Sequence, residues 1–265
     1  SLYYVIIKNN ESLTMPIFWE IEKRRVTHIA RNSYVIYAGD VEFVAFIDDD
    51  EVPEKEWLNR LVETQITYKA DGVEGKVDCY FKHNAPKWIK KGKFFDKKSK
   101  NTGERVVLAA TNNLLIKKEI LERFPFNENL ALTGGSDTYL FTELSYEGYQ
   151  FVFCKEAVVK EIIPQSRTNL KWILIRAFRV GITRAICTDV EGNILYAKFR
   201  RTFIGILKII QGIVLFLPSL LLGRHKVVLA LRFIFMGLGN IIGLLGIKYH
   251  EYRKVQANQF RLYLV

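Results

Sequence analysis

The run Glu42-Phe43-Val44-Ala45-Phe46-Ile47 leads directly into Asp48-Asp49-Asp50-Glu51. A stretch this apolar reads as a strand buried on both faces, and such strands belong to sheets covered by helices. Four successive carboxylates at its end repel one another and lose hydration, unless a cation relieves them. In α/β sheets, ligands bind at the carboxyl ends of strands. The feature therefore points to an α/β domain with a cation-seeking corner at the end of one strand. A plainer reading also stands, in which the cluster is an acidic turn placed before the positive end of a helix.

Further segments support an α/β domain. "YYVII", "GVEGKVDCYF", "VVLAATNNLLI" and "YQFVFC" read as strands. "EKEWLNRLVETQITYK" reads as a helix, with Trp57, Leu58, Leu61 and Ile66 on one face, Pro53 near its start and Glu54 and Glu56 in its first turn. "DTYLFTELSYEGY" reads as a second helix closed by Gly148. Strands alternating with helices predict a mostly parallel sheet. The basic stretch "KWIKKGKFFDKKSKNTGERV" has little periodicity and reads as a surface loop, either a solvated insertion or a flap beside the site.

The character of the chain changes near Arg167. Beyond it, "FIGILKIIQGIVLFLPSLLL" (203–222) and "VVLALRFIFMGLGNIIGLLGI" (227–247) approach the length that crosses a bilayer. They are joined by the basic string "GRHK", and Lys208, Gln211, Pro218, Arg232 and Asn240 interrupt them. Length favours two spans. Basic residues at both ends favour a hairpin held in the cytoplasmic interface, because a true two-span hairpin would carry Arg224 and Lys226 to the far side. The 265 residues carry a net charge of +11. That charge, so close to apolar segments, points to an anionic membrane rather than to nucleic acid. Cys79, Cys154 and Cys187 are widely spaced and suggest neither a disulfide framework nor a zinc site.

Three constellations carry chemistry. Asp48, Asp49 and Asp50 offer oxygen ligands for a hard divalent ion. In "TGGSDTYLFTELSYEGY", Gly134 and Gly135 allow close backbone approach. Asp137 opens the helix, where negative charge is favoured, as suits a general base or an ordinary N-terminal cap. In "KEIIPQSRTNLKWILIRAFRVG", Arg167, Lys171, Arg176 and Arg179 can face a diphosphate, lipid or water.

The order of these pieces resembles family 2 glycosyltransferases. The chain carries "ARN" (30–32), a spacer, a strand, "DDD" and then a Pro-Glu-rich segment leading to Trp57-Leu58. "AATNNLLIKKEIL" and "GGSDTYLFTELSYEGYQFVFCKEAVVKE" follow in the family's sequence of motifs, and the match runs from about Pro16 to Gly181. The resemblance implies a GT-A (Rossmann-like) fold with a mixed, mostly parallel sheet flanked by helices, followed by apolar membrane-associated helices. It implies a nucleotide-sugar donor, expected to be UDP-linked, a divalent Mn or Mg ion, and inverting transfer in one displacement. Residue by residue, it implies that Asp48 and Asp49 lie near the ribose and base, and that Asp50 ligates the metal. Asp137 is the implied base, Asn112 and Asn113 line the sugar pocket, Arg31 and Asn32 hold the nucleotide, and Arg167 meets the diphosphate. Two departures stand out. The opening "YYVIIKNNES" aligns with the family's second strand, so the first strand and helix are expected to be missing, with Asn9 or Asn10 where an acidic base contact is usual. Lys160-Glu161 stands where many relatives place a metal-ligating His, making Glu161 a substitute ligand.

The expected organisation is a catalytic domain over 1–166, basic connecting helices over 167–202, and an apolar hairpin and tail over 203–265. The expected activity is addition of a sugar to a glycan or lipid-linked acceptor in cell-surface polysaccharide synthesis. It would take place at the cytoplasmic face of the membrane, with peripheral or integral attachment through 203–247. A fragment of a processive synthase and a catalytically silent membrane-bound module are the rival readings.

Overall fold

The computed structural model describes residues 2–7, 31–32, 35, 41–48, 50–97, 99–130 and 134–247, with 2–7 as backbone only. The strands are β1 (Leu2–Ile7), β2 (Phe43–Asp48), β3 (Glu51–Pro53), β4 (Gly72–Tyr80), β5 (Arg105–Val106), β6 (Asn113–Lys117) and β7 (Phe151–Ile162). The α-helices with assigned bounds are α1 (Trp57–Tyr68), α2 (Lys87–Gly92), α3 (Lys118–Arg123), α4 (Ser136–Tyr146), α5 (Leu170–Ile186), α6 (Ile194–Leu222) and α7 (Arg224–Leu244). Two compact units result. A sheet unit comprises Ser1–His83, Phe95–Asn127 and Leu140–Pro164, and a helical unit comprises Asn84–Phe94, Glu128–Tyr139 and Gln165–Val265. Segments 84–94 and 128–139, expected in the catalytic domain, thus fall in the helical unit. No break separates 202 from 203, because α6 runs through that point as one helix.

In the sheet unit the strand order is β1-β2-β6-β4-β7-β3, with β5 also pairing with β7. The sheet is mixed, but among the described strands only β4 and β7 run parallel and the other pairs are antiparallel. The expectation of a mostly parallel sheet rested on strand–helix alternation. Alternation does not fix direction where partners such as β2 and β6 are joined by long connections.

Burial explains the continuous apolar runs. On β2, Val44 and Phe46 face one layer while Phe43, Ala45 and Ile47 face the other. On β6, Leu114 and Ile116 face the first layer and Leu115 the second. This two-residue alternation, with both faces covered, lets a strand be apolar throughout. The first layer closes against Ile120 and Leu121 of α3 and Leu140, Phe141 and Leu144 of α4. The second closes against Trp57, Leu58 and Leu61 of α1.

The structure revises three local expectations. Helix α1 begins at Trp57, so Glu54 and Glu56 precede it and Pro53 lies in β3. The short strand forms because Glu51, Val52 and Pro53 pair with Glu161, Lys160 and Val159 of β7. On α1, Thr64 is buried and Ile66 is exposed, because the hydroxyl of Thr64 finds partners in the Arg60 carbonyl and the Cys154 sulfur. The basic stretch read as a surface loop instead forms α2, with Ile89 buried, and Phe95 is buried in the sheet unit. Two inward apolar side chains were enough to anchor an otherwise charged stretch.

Asn113 knits the second layer together from inside. It is fully buried; its Oδ1 accepts from the Trp57 indole at 2.7 Å, and its Nδ2 donates to the carbonyls of Lys76 and Ala157, each at 2.9 Å. Its amide fills the space that a side chain at Gly75 would need, at a register shift between β4 and β7. The side chain expected to line a sugar pocket therefore sits in the core, where an unpaired amide would be costly.

In the helical unit, α6 and α7 approach closely at glycines. A Cβ on Gly237 would lie 2.5 Å from the Gly205 carbonyl, and one on Gly212 would lie 2.7 Å from the Ala230 carbonyl. Gly181 of α5 and Gly239 of α7 likewise meet backbone of the facing helix. The expected "GRHK" loop reduces to Gly223, at φ +97°, and Arg224, His225 and Lys226 form the first turn of α7. Arg224 there stacks on Trp88 of α2, 4.8 Å from the ring centre.

Gly75→Ala is expected to lower stability by about 2–3 kcal/mol through overpacking against Asn113 and Ala157. Urea unfolding measures this, and an unchanged midpoint would contradict the packing described.

Candidate active site

At the end of β2, Asp48 is met by a cation from the chain itself. Arg31 is helical and buried, and its Nη2 lies 3.6 Å from Asp48 Oδ1. The Arg31 guanidinium also lies over the Phe126 ring, 5.4 Å from its centre. The neighbouring Asn32 fixes this arrangement. Its Nδ2 donates to the Phe126 carbonyl at 2.9 Å, and its Oδ1 accepts the Phe126 N–H at 2.8 Å. In "ARN", Asn32 is thus engaged with backbone, while Arg31 reaches the acidic corner.

Glu51 ties the corner together. Its Oε2 accepts the Asp48 N–H at 3.3 Å and its Oε1 accepts from Asn112 Nδ2 at 2.6 Å. One buried carboxyl thereby links the end of β2 to the residue preceding β6. Burial pushes its pKa up to about 8; the Asn112 hydrogen bond and the Lys97 ammonium pull it down, and the Asp48 charge adds to the rise. The desolvation of a nearly inaccessible carboxyl outweighs these partners and the Asp48 N–H together.

Across β3 and β7, Glu51 stands opposite Glu161. Lys97 Nζ lies 3.3 Å from Glu161 Oε2, and the Cys79 thiol donates to the same oxygen at 3.5 Å. Lys97 lies beyond α2 in the same basic stretch, and it places an ammonium beside this acidic pair. Asp49 lies outside the described residues, as do Asn9 and Asn10. Asp50 follows the strand in a turn, and its carbonyl accepts the Ile162 N–H at 3.4 Å.

Asp137 and Arg167 belong to the helical unit. Asp137 lies in the first turn of α4, and its Oδ1 accepts the Thr138 N–H at 2.7 Å. Gly134 and Gly135, at φ +71° and +85°, shape the entry to the helix, and Gly135 packs on the Thr183 side chain. Arg167 ends the 3-10 turn Gln165–Arg167.

Among the described residues, no group of three or more His, Cys, Asp or Glu side chains is gathered closely enough to hold a metal by itself. The donor set at the end of β2 is nevertheless all oxygen, as Mg and Mn prefer. It fits a divalent ion whose coordination is completed by phosphate and water.

Residues 20–124 match the family profile described as Glycosyl transferase family 2. The succinoglycan biosynthesis protein ExoM of Rhizobium meliloti (strain 1021) is 32% identical over 216 residues, covering 78% of this chain and 67% of that protein. The chain belongs to glycosyl transferase family 2. Among solved structures, TarS of S. aureus, residues 1–349 in complex with UDP, is matched at 12% identity with a TM-score of 0.38, over 84% of this chain and 72% of that one. A second TarS structure is matched at 15% identity and a TM-score of 0.37, and there the match spans 29% of the TarS chain.

Within this family 2 chain, sequence reading named the carboxylates and Arg31 but missed the side chains that bind them together. Glu51 was visible as the fourth acid of the run. Its position opposite Glu161 and its bond to Asn112 arise only from strand register. Lys97 gave no periodic signal because a single lysine in a basic stretch looks solvated.

The raised pKa of Glu51 has a sign. Between the ordinary value of 4.5 and about 8 the unfolded chain gives up a proton that the folded chain keeps. The contribution is fully present below 4.5 and is lost as pH rises through that window. In the metal-free enzyme, stability should fall by up to about 1.4 kcal/mol per pH unit there. Glu51→Gln should flatten the dependence. Denaturant unfolding across this pH range, with chelator present, measures both, and equal slopes for the two proteins would contradict the assignment.

Proposed function

We propose that this family 2 glycosyltransferase moves a sugar, with inversion, from a UDP-linked donor to a glycan or lipid-linked acceptor in cell-surface polysaccharide synthesis. The observation that carries the reading is the compensated acidic end of β2. There, Asp48, Asp50 and Glu51 lie in a chain whose relative ExoM is named for succinoglycan biosynthesis. Asp48 and Asp49 are assigned to the nucleoside, with Arg31 fixing Asp48 and Asn32 fixing the loop behind it. Asn112, held by Glu51, is assigned to the donor sugar, with the buried Asn113 supporting it from the core. Asp50 is the proposed ligand of a Mn or Mg ion. Glu161 is a second oxygen within the same strand pairing, and Lys97 is its counter-ion. Such an ion, when bound, neutralises charge on the departing diphosphate.

Asp137 is the proposed base. Its carboxylate accepts the proton of the acceptor hydroxyl while that oxygen bonds to the anomeric carbon, and the bond to the diphosphate oxygen breaks with its electron pair. The opening of α4 favours the negative charge this requires. Arg167 is assigned to the diphosphate.

We further assign α6 and α7 to the membrane. Their 29 and 21 residues are long and apolar enough to cross it, but Arg224 at their junction stacks on Trp88 of α2, which favours a hairpin held in the interface. Leu195, Phe199, Leu217 and Leu221 of α6 expose their side chains, Leu221 at 92%. The cytoplasmic face is the proposed side, on the basic residues that flank both helices.

Two variants test the assignments. Asp50→Asn should weaken metal-dependent binding of the nucleotide-sugar by at least roughly tenfold, and unchanged calorimetric affinity would exclude it as the ligand. Asp137→Asn should bind donor normally but lose roughly a hundred- to ten-thousandfold in kcat. Near-normal turnover would remove it as the base.

A further inference from the structure

A second charged cluster lies within the helical unit, where α5 ends and α6 begins. Glu191 is buried between these helices and is gripped by two arginines of α6, with Oε2 on Arg200 and Oε1 3.0 Å from Arg201 Nη2. Arg184, near the end of α5, stands close enough to Arg201 for their charges to oppose each other. Burial and that neighbour hold its guanidinium below the usual arginine value. The Arg184 hydrogen bond runs from Nη1 to the Met236 sulfur at 3.6 Å, a weak acceptor. Arg201 is 11% exposed, and its Nε is buried without a hydrogen-bond partner. Two guanidiniums thus share one carboxylate and a third, Arg184, stands beside them without one among the described residues, while Asp189 in the same turn is exposed.

An excess of half-buried guanidiniums is costly unless an anion joins them, and their planar forks suit phosphate. Their surroundings narrow the anion further. Leu195, Tyr196 and Phe199 of the same turns of α6 are exposed, at 77%, 65% and 72%. Tyr196 lies one turn before Arg200 on the same face of α6, so the chain of a lipid whose phosphate is held here would leave past Tyr196 onto that surface. We propose that Arg184, Arg200 and Arg201 form a site for the phosphate group of a lipid, at the root of the apolar helices. The phosphate would accept hydrogen bonds from Arg184 and Arg201 and leave Glu191 paired with Arg200. The inference builds on the proposed membrane placement and lipid-linked acceptor. It concerns only how lipid phosphate is held, so donor binding is independent of it.

The full chain in detergent would be floated with three kinds of vesicle: neutral phosphatidylcholine alone, the same with phosphatidylglycerol, and the same with a long-chain isoprenyl phosphate. Inorganic phosphate would be titrated as a competitor. Wild type should bind one or both phosphate-bearing vesicles in preference to neutral ones. Arg184→Gln should weaken that binding roughly tenfold, the value of one charge-assisted contact. Arg200→Gln, which leaves Glu191 to pair with Arg201 alone and so compete with the phosphate, should weaken it as well. Nucleotide-sugar affinity, measured in parallel, should be unchanged, which also reports that the variants are folded. Preference for isoprenyl phosphate alone assigns the site to a lipid-linked acceptor. Equal preference for both lipids assigns it to headgroup phosphate in general. The proposal is overturned if Arg184→Gln binds as wild type does, or if the exposed Lys198→Gln loses as much, since bulk charge would then account for the effect.

Discussion

The structure depends on neutralising the carboxylates that end β2. Four acids in a row follow a strand whose apolar side chains are buried on both faces, and the last of them, Glu51, is itself buried. The chain answers with Arg31 beside Asp48 and Lys97 beside Glu161, and with Glu51 pulled between the Asp48 N–H and Asn112. Each partner arrives from a distant part of the sequence. The corner therefore forms only when the helical Arg31, the Lys97 segment and the β3–β7 pairing are all in place. Arg31 and Lys97 leave the acids in excess, which suits a divalent cation entering with a diphosphate.

The same logic distinguishes side chains that build the corner from those free to work in it. Asn32 and Asn113 belong to the first group. One clasps the Phe126 backbone, and the other satisfies an indole and two carbonyls inside the sheet. Asn112, next to Asn113, instead joins Glu51. Asn112, in the turn before β6, and Asn113, in the strand, therefore meet different partners although they are adjacent in sequence.

Much of this was legible in the sequence. The buried strands, α4 with its Gly148 ending, the acidic run and Arg31 announced themselves by period, turn chemistry and order. Three things did not. Strand direction was hidden, because alternation of elements leaves the pairing of distant strands open. The reach of the helices was hidden, because charged residues such as Arg224 and Arg232 stack on Trp88 and Phe94 and so tolerate helical positions that their charge seemed to forbid. The roles of Glu51 and Lys97 were hidden, because a single carboxylate or ammonium gains meaning only from the side chains facing it across the sheet.

On the function proposed above, metal and nucleotide bind as one unit at the end of β2, with protein oxygens supplying part of the coordination and diphosphate the rest. The direct measurement is titration of Mn2+ into the full chain, followed by electron paramagnetic resonance, with and without a nucleoside diphosphate. The account predicts weak Mn2+ binding to the chain alone and tight binding once the nucleoside diphosphate is present. Mn2+ affinity that does not change on adding the nucleotide would contradict it.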